Sequence, residues 1–332
     1  MAVYTHLGAD QLAALIAHYD VGTLVSAKGI AEGVSNSNWL IETTGPEAQR
    51  DGGKTTRYIL TMYERRIDIA DLPFFLGLMD HLAAKGCAVP RTIHDREGAS
   101  HRHVEGKAAA LIEFLPGISV DRPTPAQAHS VGRALARNHL AVADFTMTRV
   151  NDMALAAWSR ALEGCGEEAL AAIDPALPGI AFEELRYLER QWPGGLPRGV
   201  VHADLFPDNV LFAGEDVSGL IDFYFAADDA FAYDYAVTHA AWCFSGDGRN
   251  YHAAIADALM RGYEEVRALS PGERAALPVL ARGAAMRFIA SRAEDWISTP
   301  ADALVTPKDP MDFVHRLQFY RDHGSEVFRP AN

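Results

Sequence analysis

Two apolar runs, Val200-Val201 and Val210-Leu211-Phe212, bracket the most chemically loaded stretch of this sequence, His202-Ala203-Asp204-Leu205-Phe206-Pro207-Asp208-Asn209. Asp204 and Asn209 stand five positions apart, and a third short run, Gly219-Leu220-Ile221, delivers Asp222. A carboxylate can orient an attacking hydroxyl and accept its proton. An amide oxygen and a second carboxylate suit Mg2+, a hard ion that prefers oxygen ligands. One base and two oxygen donors on strand–loop–strand supports meet the needs of phosphoryl transfer, which is mostly positioning and charge neutralisation. A metallohydrolase using His202, Asp204 and Asp222 as ligands is the competing reading, but no further His or Asp at a comparable strand end completes it. His202 itself is expected to brace the loop through hydrogen bonds and to do no chemistry.

Such groups need a rigid frame. Apolar residues Leu12, Leu15, Ile16 and Tyr19 share a helical face within Leu7 to Tyr19. Strand patterns follow at Val21 to Ile30, Trp39 to Ile41 and Tyr58 to Tyr63, with the polar stretch Gly45 to Gly53 as a hairpin tip. A helical pattern from Leu72 to Ala84 stops at Gly86, and short strands at His103-Val104 and Ala109 to Phe114 complete a first region. After Leu115-Pro116-Gly117 the pattern is mainly helical: Pro125 to Val142, Met153 to Leu162, Phe182 to Gln191, Tyr233 to Trp242, Tyr251 to Val266, Ala275 to Ala293 and Met311 to Tyr320. The spacing therefore predicts an antiparallel-sheet lobe joined through one hinge to a helical lobe.

Composition narrows the partners. The 332 residues are 49% hydrophobic and 22% charged, which excludes a disordered, collagenous or coiled-coil chain. Lys and Arg total 30 against 44 Asp and Glu, a net charge of −14, so nucleic acid and anionic membrane are not expected partners. The three cysteines, Cys87, Cys165 and Cys243, are far apart and form no CxxC pair. With no signal-peptide pattern and no apolar run of ~20 residues, the expectation is a cytoplasmic protein. Gly52-Gly53-Lys54-Thr55 imitates the end of a P-loop, but the required first Gly falls on Ala48 and a strand follows instead of a helix.

The His202-x-Asp204-x4-Asn209 pattern followed by Asp222 resembles the aminoglycoside-phosphotransferase-like, or choline-kinase-like, branch of the protein-kinase fold, with Ala203 where protein kinases carry Arg. Further blocks are Gly29-Ile30-Ala31-Glu32-Gly33-Val34-Ser35-Asn36-Ser37-Asn38, Leu60-Thr61-Met62-Tyr63-Glu64, Asp71-Leu72-Pro73-Phe74-Phe75 and Gly219-Leu220-Ile221-Asp222-Phe223-Tyr224. With them the chain looks like the bacterial homoserine kinases of this fold over nearly its whole length. The resemblance implies an α+β, two-lobed protein-kinase-like fold, with an N-lobe of antiparallel sheet plus helices and a mainly α-helical C-lobe. The boundaries it implies are residues 1–112, a hinge at 113–117, and 118–332. It implies Asp204 as catalytic base and Asn209 and Asp222 as Mg2+ ligands. It also implies Gly33, Ser35 and Asn36 over the ATP phosphates, the backbone from Glu113 to Leu115 against adenine, and Asp234 in a structural role. ATP and Mg2+ are the implied cofactors and L-homoserine the implied acceptor, with another amino alcohol or an aminoglycoside as alternatives.

One position departs from that pattern. Kinases place a Lys on the third strand to grip phosphates, and the aligned residue here is Thr61. Arg65 and Arg66 follow and could supply the charge; otherwise the departure admits a chain that binds ATP without turnover. For an amino-acid acceptor, Arg287 and Arg292 are the candidate carboxylate partners, since a guanidinium offers two parallel hydrogen bonds. Asp229, with Asp228 beside it, is the candidate for the ammonium.

Overall fold

The structure, a computed structural model, describes residues 7–30, 36–45, 55–64, 67–300 and 306–329. The chain divides into two compact units, residues 1–116 and 117–332. In the first, helix α1 (Ala9–Ile16) precedes β1 (Leu24–Ile30), β2 (Asn36–Thr43) and β3 (Thr56–Tyr63). Then come α2 (Leu72–Ala84), β4 (Thr92–Ile93), β5 (Arg102–Val104) and β6 (Lys107–Glu113). The sheet order is β1-β2-β3-β6-β4, with β5 on β6, and every pairing is antiparallel.

Strand alternation sorts the two faces of this sheet. Trp39 lies opposite Leu60, Leu60 opposite Leu111, and Met62 opposite Ala109. That face is covered by Leu12, Leu15 and Ile16 of α1, which closes the core of the unit. Helix α2 spans the predicted Leu72–Ala84. Pro73 sits in its first turn, where no amide partner is lost, and Gly86 beyond its end takes φ +78°, a left-handed conformation that costs glycine little. The two-residue β4 is absent from the sequence reading; its extended backbone comes from pairing with β6.

The second unit holds α3 (Pro125–Ala141), α4 (Leu155–Cys165), α5 (Glu167–Ile173), α6 (Leu177–Gln191) and β7 (Arg198–Val201). It continues through β8 (Val210–Ala213), β9 (Asp216–Leu220), β10 (Ala227–Ala230), α7 (Phe231–Trp242), α8 (Ala253–Glu264), α9 (Pro271–Ser298) and α10 (Met311–Val327). Two small antiparallel ribbons, β7–β10 and β8–β9, carry the loops of interest. Helix α7 is buried from Ala232 to Trp242 on every side, so it forms the centre of the unit, with α9 packed on it. Helix α9 begins four residues earlier than the apolar pattern predicts, at Pro271, because Ser270 and Glu273 form a capping box. Helix α5 and strand β10 were not expected. The Asp228-Asp229 pair is therefore in a strand, Asp228 opposite Val200 and Asp229 opposite Gly199. Among the described residues, no helix is long and apolar enough to cross a membrane.

Candidate active site

Strand β7 ends at Val201, and the next residues turn sharply. Ala203 has φ +63° and Asp222 φ +65°, left-handed backbone at two residues that are not glycine. Each such residue costs on the order of 1–2 kcal/mol, so the surroundings must hold it. For Ala203 the holder is Asp234, fully buried on α7. Its Oδ1 accepts from the Ala203 amide at 2.7 Å and its Oδ2 from the His202 amide at 2.9 Å. Oδ2 also accepts from His139 Nε2 at 2.9 Å, while His139 Nδ1 takes the Tyr263 hydroxyl at 2.7 Å. Burial alone would push the Asp234 carboxyl up, but the hydrogen bonds from the His139 ring and the His202 backbone hold it below its ordinary range.

His202 fills the role of a brace. Its Nε2 donates to Ile221 O at 3.0 Å, and its Nδ1 accepts from the Asp204 amide at 3.3 Å. Burial keeps the ring below its ordinary pKa despite nearby carboxylates, which suits a neutral ring with one donor and one acceptor. Trp242 Nε1 donates to Leu205 O at 2.8 Å, and the Ile221 amide donates to Asn209 O at 3.0 Å. The loop that carries Asp204 and Asn209 is thus tied through backbone to Ile221, the residue before Asp222.

Asn209 Nδ2 donates to Asp204 O at 2.8 Å and lies 3.4 Å from Asp204 Oδ2. The nitrogen end of the amide is therefore spent on the loop, and the oxygen end is the one left to a cation. The Asp204 carboxylate is raised by burial, against the opposing charges of Arg287 and His202. Loss of water, and then the charges of Asp204 and Asp208, push the Asp222 carboxyl up as well; one side of the residue stays open to solvent, which moderates the push. Asp204, Asp208 and Asp222 bring negative charge here that Arg287 and Lys308 only partly offset, and the Asn209 amide oxygen and the Asp222 carboxylate are hard oxygen donors of the kind a divalent cation takes.

Arg287 completes the cluster. Only 2% of its side chain is exposed, Nη1 donates to Ala203 O, and Nη2 stands 3.4 Å from Asp204 Oδ1. Its guanidinium lies over Phe288 at 4.6 Å and Phe225 at 5.3 Å. Arg292 does not join it: its Nη1 donates to Asp309 O and Asp312 Oδ2, both at 2.8 Å, which ties α9 to α10. Five positions on a helix turn a side chain by about 140°, so the two arginines diverge. Asp229 accepts from Asn151 Nδ2 at 2.6 Å and from the Ala230 amide at 2.7 Å.

In the first unit, Asn36 is buried at the start of β2 opposite Tyr63. Glu113 ends β6 with its carboxylate on Arg91, both contacts at 3.2 Å, and Leu115 follows half-buried. Thr61 donates from Oγ1 to Asn38 Oδ1 at 2.9 Å. Lys107 pairs with Glu64 near the same end of the sheet, but alternation puts it on the α1-covered face of Ala109 and Leu111, away from Thr61. Gly33, Ser35, Arg65, Arg66 and the Gly52 to Lys54 stretch lie outside the described residues.

Sequence reasoning missed His139 and the contact Arg287 makes with Asp204. Their partners are 95 and 83 positions away, so no local spacing announces them. A test of the brace follows. Asp234→Ala strands two buried amides and a histidine, and should cost about 3–5 kcal/mol in denaturant unfolding together with most activity. Because the Asp234 carboxyl is held below its ordinary range, its stabilisation is present above that range and fades as pH falls through the folded value. A loss under ~1 kcal/mol would show that Asp234 does not hold the loop.

Comparison with known proteins gives the family and the fold. The sequence profile of the phosphotransferase enzyme family matches residues 26–269. The chain belongs to that family. Its curated relatives include the homoserine kinase of Xanthobacter autotrophicus, 49% identical over 321 residues, covering 97% of this chain and 96% of that protein. The homoserine kinase of Acidiphilium cryptum is 49% identical over 325 residues, 98% of each. Among solved structures, the amicoumacin kinase hAmiN, in complex with AMP-PNP, Ca2+ and its antibiotic, superposes with a TM-score of 0.67 at 14% identity, covering 98% and 96% of the two chains. Spectinomycin phosphotransferase APH(9)-Ia, with ADP and spectinomycin, gives 0.65 at 14% identity, covering 98% and 97%. The α+β kinase-like fold expected from the sequence is the fold of these phosphotransferases.

Proposed function

We propose that this chain transfers the γ-phosphoryl group of ATP to the side-chain hydroxyl of L-homoserine, giving O-phospho-L-homoserine, a step toward threonine. The observation that carries the reading is the braced loop that joins Asp204, Asn209 and Asp222, in a chain 49% identical to homoserine kinases over nearly its full length. Asp204 orients the acceptor hydroxyl and takes its proton; burial raises its proton affinity, which favours that role. Asn209 Oδ1 and the Asp222 carboxylate hold Mg2+. When bound, the ion supplies neutralisation of the β- and γ-phosphate charge. Asp234 and His202 keep the loop in its left-handed turn, so the base does not reorganise during the reaction. Gly33, Ser35 and Asn36 are assigned to the phosphates, and the backbone of Glu113 and Leu115 to the adenine.

The test is ADP release across a panel of alcohols. L-homoserine carries an ammonium, a carboxylate and a primary hydroxyl, and a site that pairs both charges rejects analogues lacking either. Each lost pairing costs about 2–5 kcal/mol, so kcat/KM for homoserine should exceed that for ethanolamine, choline or an aminoglycoside by at least about 30-fold. Serine sets its hydroxyl one carbon too close and threonine offers a secondary one, so both should be poor. Equal activity on an aminoglycoside, or good turnover of another alcohol with none on homoserine, would overturn the acceptor assignment.

A further inference from the structure

Arg287 has a second face. Together with Met153, Trp158, Arg160, Ser291 and Glu294 it lines an open cavity of about 260 Å3 between α4 and α9. Its Nη1 and Nη2 serve Ala203 and Asp204, but its Nε is buried without a hydrogen-bond partner among the described residues. Tyr233 stands behind this wall, its ring 6.4 Å from that of Trp158, and its hydroxyl is also buried without a hydrogen-bond partner among the described residues. Buried donors without partners are uncommon and mark a place where an acceptor atom belongs. The charges around the cavity are two arginines, Arg160 and Arg287, and one carboxylate, Glu294, with apolar surface from Met153 and Trp158 between them.

We infer that this cavity binds the amino-acid end of the acceptor. The carboxylate lies toward Arg287 Nε and Arg160, and the ammonium toward Glu294. The methylenes lie on Met153 and Trp158. The hydroxyl then points past Arg287 to Asp204, since the same guanidinium touches both the cavity and the base. This rests on the homoserine reading above. It also gives that reading a physical source of selectivity. The cavity lining offers a polycationic aminoglycoside one carboxylate, Glu294, beside two arginines, of which Arg287 already faces Asp204. An amino alcohol without a carboxylate forgoes the charge-assisted hydrogen bonds to Arg287 Nε and Arg160. Asp229, which already accepts from Asn151 and the Ala230 amide, is not among the residues that line this cavity.

The experiment uses the full chain with three variants, Glu294→Gln, Arg160→Gln and Ala161→Leu, the last of which fills the cavity. Each is measured for KM toward L-homoserine, KM toward ATP, kcat and Tm. The expected result is a rise of about tenfold or more in the homoserine KM, with the ATP KM within about twofold and Tm nearly unchanged. Glu294→Asp should recover part of the loss. Glu294 and Arg160 are exposed, so their variants fold even if Ala161→Leu does not. If the wild-type chain phosphorylates homoserine and both charge variants keep its KM, the cavity assignment fails and the kinase reading stands. An effect of Ala161→Leu alone refutes the charge pairing. A wild-type chain with no turnover of homoserine removes the functional reading, and this inference with it.

Discussion

Asp204→Asn lowers kcat by about 10²–10⁴-fold and leaves the KM for ATP nearly unchanged. The substitution keeps the shape of the side chain and removes the proton acceptor. Its effect on the loop is small, because the loop is held elsewhere: the backbone of Asp204 binds His202 Nδ1 and Asn209 Nδ2, and Ala203 is fixed by Asp234 and Arg287. Arg287 keeps Ala203 O and its aromatic neighbours when the carboxylate is gone. The loss therefore falls on the chemical step and not on nucleotide binding. Steady-state kinetics with saturating L-homoserine and Mg2+ checks this, and a variant that retains a tenth or more of kcat removes Asp204 from the role of base.

The loop is legible in the sequence because its chemistry is local. Asp204 and Asn209 are five residues apart between apolar runs, and Asp222 closes the next run. Helix α2 is legible to the residue because Pro73 and Gly86 punctuate it. The family and its phosphotransfer chemistry follow from these same blocks. The rest is hidden for definite reasons. The resemblance implies a structural Asp234, but the groups it holds are hidden, since its three donors come from α3 and from the loop after β7, contacts that only the fold creates. Strand β10, Ala-Asp-Asp-Ala, carries no strand propensity and is extended only because β7 pairs with it. Helix α5 buries one residue, Leu170, so it shows no apolar stripe. Arg287 and Arg292 look equivalent along the sequence, and only the helix turn between them sends one to the base and the other to α10.

Asp222→Ala should abolish Mg2+-dependent turnover, because the remaining donor, Asn209 Oδ1, is a single neutral oxygen and cannot neutralise phosphate charge. Loss of activity alone would not separate a missing ligand from a broken fold, and stability separates them. Loss of water, and after it the charges of Asp204 and Asp208, raise the Asp222 carboxyl above the ordinary 3.8. A raised carboxylate pKa means that the folded, metal-free chain holds a proton the unfolded chain has lost. Stability then falls as pH rises from the ordinary value through the folded one, and the penalty is complete above it. Asp222→Asn removes that charge and keeps a residue that tolerates φ +65° better than alanine does. In Mg2+-free buffer at pH 8 it should unfold at a temperature no lower than the parent chain, and the difference should vanish at acid pH. Added Mg2+ should stabilise the parent and leave the Asn variant unmoved, since only a chain that binds the ion in its folded state gains from it. A parent chain indifferent to Mg2+ in that assay, or an Asp222→Ala variant as active as the parent at saturating Mg2+, would take Asp222 out of the metal site. Asn209→Ala should lie between the two, with turnover recovered at higher Mg2+, because it deletes one neutral oxygen and leaves the charged ligand in place.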